Sequence, residues 1–376
     1  MNDRKSNFEL LRIVSMLFIV VYHVIVHGKV IENSTNQMFI TIMEFVIFTI
    51  VIHVNCFVLL TGYFQIDKKF KQKKLWSITN ASLFYKIVIM VILAIIGIIK
   101  IDQVTIIKEI SPINIDDYWF IKNYLFLYCL SPFLNKLALS LSKKDYHKMI
   151  IVMTIIFSVI PYITGAKAFE NNGFTLCNFI YLYFIGGYLK LYKIKDNYIF
   201  KPMTNSLYKL TLKIIFISCI LINFSFFITS DKLLTINPLS GELFGNIYVM
   251  SKLYSNPFVI LQAVSFFLIF EKINIQSKII NFISKLTFGI YLIHDNIFIT
   301  KYLYKWLNID NGRIESYRVL LNIILATIFI FGICGFIEFI RQILFKFIYN
   351  RKISGKIRNK YYKFIIDLKF KDEVKE

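Results

Sequence analysis

Apolar stretches about as long as a lipid bilayer is thick recur along the whole chain. They lie near residues 8–30, 39–64, 75–99, 118–139, 149–164, 177–192, 210–229, 247–270, 279–300 and 317–345. A hydrocarbon core of ~30 Å takes about 20 helical residues to cross. The stretches are continuously apolar and do not alternate, which excludes the strands of a membrane barrel. In lipid that leaves the helix, which satisfies its own backbone. Hydrophobic residues make up 57% of the chain, above the roughly 45–50% of a soluble domain. The expected fold is all-α integral membrane, with about ten transmembrane helices. One membrane domain would cover 1–345, followed by a basic amphipathic tail over 346–376. No small-residue cleavage site of the A-x-A kind follows the first apolar stretch, so it reads as a retained span.

The net charge of +21 would favour nucleic acid in a soluble protein. Here the cations sit between apolar stretches. Segments 66–74, 136–148 and 190–213 are lysine-rich, whereas 100–117, 165–176 and 230–246 carry as many acidic residues as basic ones or more. That alternation is the positive-inside pattern, and it places both termini in the cytoplasm. No nucleic-acid partner is expected. The last outer loop, with Lys301, Lys305, Arg313 and Arg318 against Asp310 and Glu315, departs from the pattern. The basic tail, interleaved with Tyr361, Tyr362, Phe364 and Ile365, suits an anionic lipid surface. The five cysteines include no CxxC, so neither a zinc nor a disulfide framework is supported.

The first stretch, Asn7 to Val30, carries costly residues: Arg12 near one end, His23 and His27 near the other. Ionisable groups in lipid mark functional sites by default. Arg12 and His23 are eleven residues apart, so they share a helix face and stand ~16 Å apart. With the inferred topology His23 lies about 7 Å below the outer end of its span, level with Glu44 on the second span and with His294 and Asp295 on the ninth. A histidine beside a carboxylate suits a general base. Taken singly, each residue also fits a helix end satisfied by headgroups or water. His23 with Glu44, above Arg12, fits a site. His27, one turn on, could bond His23 or a sugar, or be interfacial. A His23/His27 metal pair lacks a third ligand other than Glu44, and no metal is expected. His53 reads as a packed histidine. Lysines 68–74, after Thr61-Gly62-Tyr63-Phe64-Gln65, could grip phosphates or only signal topology.

Four ordered motifs resemble the acyltransferase-3 family of integral-membrane acyltransferases that decorate bacterial surface glycans. These are Arg12-x10-His23, TGYFQIDKKFKQKKLW closing the second span, YWFIKNYLFLYCLSPFLN with Trp119, Tyr124 and Pro132, and SKLTFGIYLIHDNIF with Tyr291 and His294. The resemblance implies an acyl-CoA donor, acetyl-CoA above all, on the cytoplasmic side of a bacterial plasma membrane. The acceptor would be a hydroxyl of an extracytoplasmic or lipid-linked polysaccharide. It also implies His23 as the catalytic histidine and Arg12 as its motif partner; on depth, Glu44 or a backbone carbonyl would orient His23. Arg12, Lys71 and Lys74 would hold the cofactor, and His27, Trp119, Tyr291 and His294 the acceptor. The family's R-x-x-R pair is Lys71-x-x-Lys74 here, which keeps charge but loses the bidentate fork. Tyr22, Asn55, Tyr291 and Asn296 are candidate oxyanion donors. No esterase domain is expected beside the membrane domain. The rival readings are a polysaccharide exporter or flippase, expected to show broken helices or a repeat, and a non-catalytic sensor.

Overall fold

The computed structural model describes residues 5–100, 118–165, 173–196, 200–236, 242–309 and 316–350. Among them every regular element is helical. The acidic loop 101–117 and most of the basic tail, 351–376, lie outside the described residues. The last described helix runs on to Asn350, past the expected domain boundary at 345.

Among the described residues six helices are long and apolar enough to cross a membrane: Ser6–Asn33, Gln37–Gln65, Gln72–Ile95, Lys143–Thr164, Asn205–Ile236 and Ser316–Phe347. The other four expected spans take different forms. Stretch 118–139 is one helix, Trp119–Ser140, diluted by Lys122, Asn123, Asn135 and Lys136. Stretch 177–192 is the shorter Leu176–Leu191. Stretch 247–270 divides into Glu242–Met250 and Pro257–Glu271. Stretch 279–300 divides into Lys278–Ile283, Thr287–His294 and Ile297–Leu307. Hydropathy reads apolar residues but not the polar side chains that let a helix stop inside a protein.

The elements that build the site are α1 (Ser6–His27), α2 (Gln37–Ile50), α3 (His53–Gln65), α4 (Gln72–Ile95), α5 (Trp119–Ser140), α6 (Leu176–Leu191), α7 (Pro257–Glu271), α8 (Thr287–His294) and α9 (Ser316–Asn350). α1 joins two apolar cores. Phe8 and Leu11 pack with α3, α6 and α7. Met16, Ile19, Val20 and Val24 pack with α2, α4, α8 and α9. The Phe8 ring meets Tyr63, Phe64 and Phe267 at centroid distances of 4.9, 5.2 and 5.2 Å. Outward faces stay apolar, as at Leu221, Leu325, Ile328 and Phe336, which suits lipid.

Each break in a helix has its own donors. α2 ends at Ile50 and α3 starts at His53. The freed carbonyls of Phe48 and Thr49 accept from Gln262 Nε2 at 3.2 and 3.0 Å, and that of Ile50 accepts from His53 Nδ1 at 2.8 Å. The non-helical segment Ser251–Asn256 is pinned by Asn223 on Ser251 O, Asn55 on Tyr254 O and Ser158 on Ser255 O. Pro132 cannot donate to the carbonyl of Tyr128, four residues earlier. Ser131 Oγ donates there instead, at 2.7 Å.

Gly62 does not form the turn expected at the end of the second span. It lies within α3, where a Cβ would stand 2.2 Å from the Tyr183 carbonyl oxygen. Gly186 on α6 would likewise meet Leu59 O at 2.3 Å. These two glycines let α3 and α6 cross with backbones almost touching, the small-residue packing that membrane helices favour. Gly62→Ala or Gly186→Ala should therefore destabilise the protein by roughly 1–3 kcal/mol, read as a lower melting temperature in detergent. An unchanged melt for both would show that the crossing is not tight.

Candidate active site

α1 and α8 run side by side, and each carries polar residues along its length. Near the start of α1, Arg12 Nη1 bonds both carboxylate oxygens of Glu9 at 3.2 Å. Ser284 Oγ, just before α8, donates to the same carboxylate. Eleven residues on along both segments stand His23 and Asp295. Their facing atoms, Nδ1 and Oδ1, are 3.5 Å apart. A single cavity of about 310 Å³ joins the two ends and is lined by Arg12, His23, Ser284, Thr287, Tyr291 and Asp295. That volume is in the range of small-molecule sites.

His23 meets a second histidine. Its Nδ1 is 3.2 Å from His294 Nε2. His294 Nδ1 lies 2.6 Å from the Ile290 carbonyl oxygen, which can only accept, so the proton sits on that Nδ1. In the neutral ring Nε2 is then an acceptor. His23 Nδ1 thus faces two acceptors, His294 Nε2 and Asp295 Oδ1, and carries the proton between them. Its Nε2 keeps the lone pair, the tautomer a general base needs.

Glu44 is engaged elsewhere. Its Oε1 and Oε2 are 2.8 and 2.6 Å from Lys252 Nζ, and it does not line the cavity. The carboxylate beside His23 is Asp295, which caps α8 at its C-terminus with φ −95° and ψ 8°. Depth had put Glu44, His294 and Asp295 at one level with His23, but depth along a helix does not say which of them faces it. His27 packs edge-on against His23, centroids 5.0 Å apart, outside the cavity lining. The ligand atoms of His23, His27 and Asp295 lie within 4.8 Å of one another. That is close enough to hold a metal in a two-histidine, one-carboxylate array, with Asp295 as the third ligand that spacing had not supplied.

Of the two lysines, Lys74 lines the cavity and Lys71 does not. Lys71 N donates to Tyr128 Oη at 2.9 Å at the start of α4. Lys74 Nζ then sits 4.6 Å from the centroid of the Tyr128 ring, a cation–π contact. Asn135, two turns further along α5, bonds the carbonyls of Gln65 and Lys68 at 2.9 and 3.0 Å. The face Tyr124, Tyr128, Ser131, Asn135 therefore positions the basic segment. Spacing four along a helix could have revealed this role for Tyr128 and Asn135.

The other expected residues divide clearly. Trp119 and Tyr291 line the cavity. Asn55 Nδ2 is committed to Tyr254 O, and Asn296 Nδ2 to Tyr118 Oη at 2.9 Å. The Tyr291 hydroxyl is buried without a hydrogen bond of normal geometry, with the Asp295 carboxylate close by. His53 is packed as expected, its Nε2 taking the Tyr254 hydroxyl at 3.2 Å, and it also lines the cavity.

Fold and site define a multi-pass membrane protein, all-helical among the described residues, with a histidine–carboxylate cluster and two cations along one cavity. The family model for the acyltransferase domain of the acyltransferase-3 family matches residues 5–339. The chain belongs to that family and is an acyltransferase. Neither the curated proteins nor the solved structures contain a match to it.

Asp295→Asn keeps the shape and removes the charge facing His23. It should lower the rate constant for acyl transfer by about 10²-fold or more without shifting the melting temperature. A variant as active as the parent would show that His23 works without this carboxylate.

Proposed function

We propose that the protein transfers an acyl group, acetyl above all, from acyl-CoA on the cytoplasmic side of a bacterial plasma membrane to a hydroxyl of an extracytoplasmic or lipid-linked polysaccharide. The observation that carries this reading is the single cavity running from Arg12 and Lys74 at one end to His23 and Asp295 at the other. Both termini are in the cytoplasm, and the cationic end faces it.

Arg12 and Lys74 attract the phosphates of the donor. Its pantetheine arm threads between apolar walls that include Met16, Ile19 and Phe57, and the thioester reaches His23. His23 Nε2 takes the proton of the acceptor hydroxyl as that oxygen attacks the thioester carbonyl. The Tyr291 hydroxyl, beside the Asp295 carboxylate, donates to the oxyanion. When the intermediate collapses the C–S bond breaks, and His23 returns the proton to the thiolate. Asp295 and His294 hold the ring and stabilise its charged form between the two transfers. This step calls for no metal, since His23 Nε2 acts as the base with its own lone pair.

Broken helices around a central cavity are also what an exporter shows, and α2/α3 and α8 are broken here. An exporter has no use for a tautomer fixed by two acceptors. The two readings part on the glycan. Loss of the protein leaves polysaccharide present but unacylated in the first case and absent from the surface in the second.

Membranes holding His23→Ala, given labelled acetyl-CoA and surface polysaccharide, should lose about 10²–10⁴-fold in transfer rate, while a chelator leaves the parent rate unchanged. Undiminished transfer by the folded variant would sink this mechanism, and inhibition by the chelator would move His23 to a metal role.

A further inference from the structure

Several polar groups converge to hold one aromatic ring in the open. Phe174 is 39% exposed. Its carbonyl accepts from the buried amide of Asn123 at 2.8 Å, and the carbonyl of Gly173 accepts from the fully buried Asn178 at 3.0 Å. Gly173 has φ +87°, and a Cβ there would stand 2.5 Å from Tyr254 Cβ and 2.8 Å from Ser255 N. Only glycine allows this conformation and this approach. Thr175 then caps α6. The segment Gly173–Thr175 is therefore locked from both sides.

The locked ring tops an aromatic stack. Phe174 lies 4.5 Å from Trp119 and 5.1 Å from Tyr254, centroid to centroid, and Trp119 stacks on Tyr254 at 5.9 Å with an interplanar angle of 20°. Trp119 and Tyr254 line the cavity that contains His23, and Tyr254 bonds His53 within it. The stack thus leads from the surface to the site without a break. Packing alone gives no reason to hold an exposed phenylalanine with two buried amides and a strained glycine.

We propose that Phe174, backed by Trp119 and Tyr254, is a docking platform for a pyranose ring of the acceptor glycan. The electron-rich aromatic face complements the polarised C–H groups on the flat face of a sugar. The stack then presents the neighbouring hydroxyl to His23. This rests on the glycan acylation proposed above and adds where the acceptor is gripped. Lipid covers other exposed phenylalanines, such as Phe336, but Phe174 differs in standing on two rings that line the cavity.

The test uses the full-length protein in membranes, with acetyl-CoA as donor. Two acceptors are compared: polysaccharide from cells lacking the protein, and glycerol, which has hydroxyls but no ring. Phe174→Ala should raise KM for the polysaccharide about tenfold and leave the donor KM and the transfer to glycerol unchanged. Phe174→Trp should retain polysaccharide binding. Transfer by the parent with an unaltered polysaccharide KM in Phe174→Ala overturns the platform alone, as does an equal loss with glycerol. A parent that acylates no polysaccharide overturns the underlying reading and the platform with it.

Discussion

A helix that stops inside a membrane releases carbonyls that lipid cannot satisfy. The structure depends on how this chain meets that constraint. Gln262 and His53 take the carbonyls at the end of α2. Asn135 takes those after α3, and Ser131 takes the one that Pro132 leaves open. Where the donor sits on a packed neighbour, as Gln262 and Asn135 do, the break is also a tie between elements. The ties fix the walls of the cavity, and the breaks bring His53, Asp295 and Tyr254 to its surface. Broken helices here are a means of placing polar groups at depth.

The same logic governs the histidine pair. Backbone geometry commits His294 Nδ1 to Ile290 O, and the tautomer of His23 follows from it. The active nitrogen is thus set by a carbonyl two residues removed from any reacting atom. A second buried carboxylate, Glu338, holds the other side of α8. It binds Tyr85 at 2.6 Å and Arg341 at 2.6 and 2.7 Å, and fits only because position 289 has no side chain: a Cβ there would meet its Oε2 at 2.3 Å. α8 is therefore gripped between α1, which carries the chemistry, and α9, which carries the clamp. Moving either would shift Asp295 against His23.

Much of this was legible in advance. The apolar stretches identified the all-helical membrane class, the four ordered motifs the family, and the R-x10-H spacing the helix around which the cavity forms. Arg12, His23, Lys74, Trp119 and Tyr291 were named from the chain and all line that cavity. Glu44 was named and lies elsewhere, because depth along a helix says nothing about direction around it and Lys252 was far away in sequence. Among the described residues six of the ten expected spans are long and apolar enough to cross a membrane, and the other four are shorter, divided or diluted by polar residues for a related reason. A window average cannot see that Asn256 caps a new helix through Phe258 N at 2.7 Å, or that Asp295 and Asn296 separate two helices in stretch 279–300.

By itself the sequence determined what period and composition can carry: helices in lipid, a cation and a histidine on one face of α1, and the ordered motifs of an acyltransferase. These are local properties, set by 3.6 residues per turn and by the cost of charge in hydrocarbon. The tertiary structure alone decided which carboxylate faces His23, which nitrogen of its ring is free, which tyrosine hydroxyl stands beside that carboxylate, and that Phe174 stands exposed above Trp119. Each of those depends on side chains from helices distant in the chain converging within hydrogen-bond reach. Only packing the helices against one another brings them there.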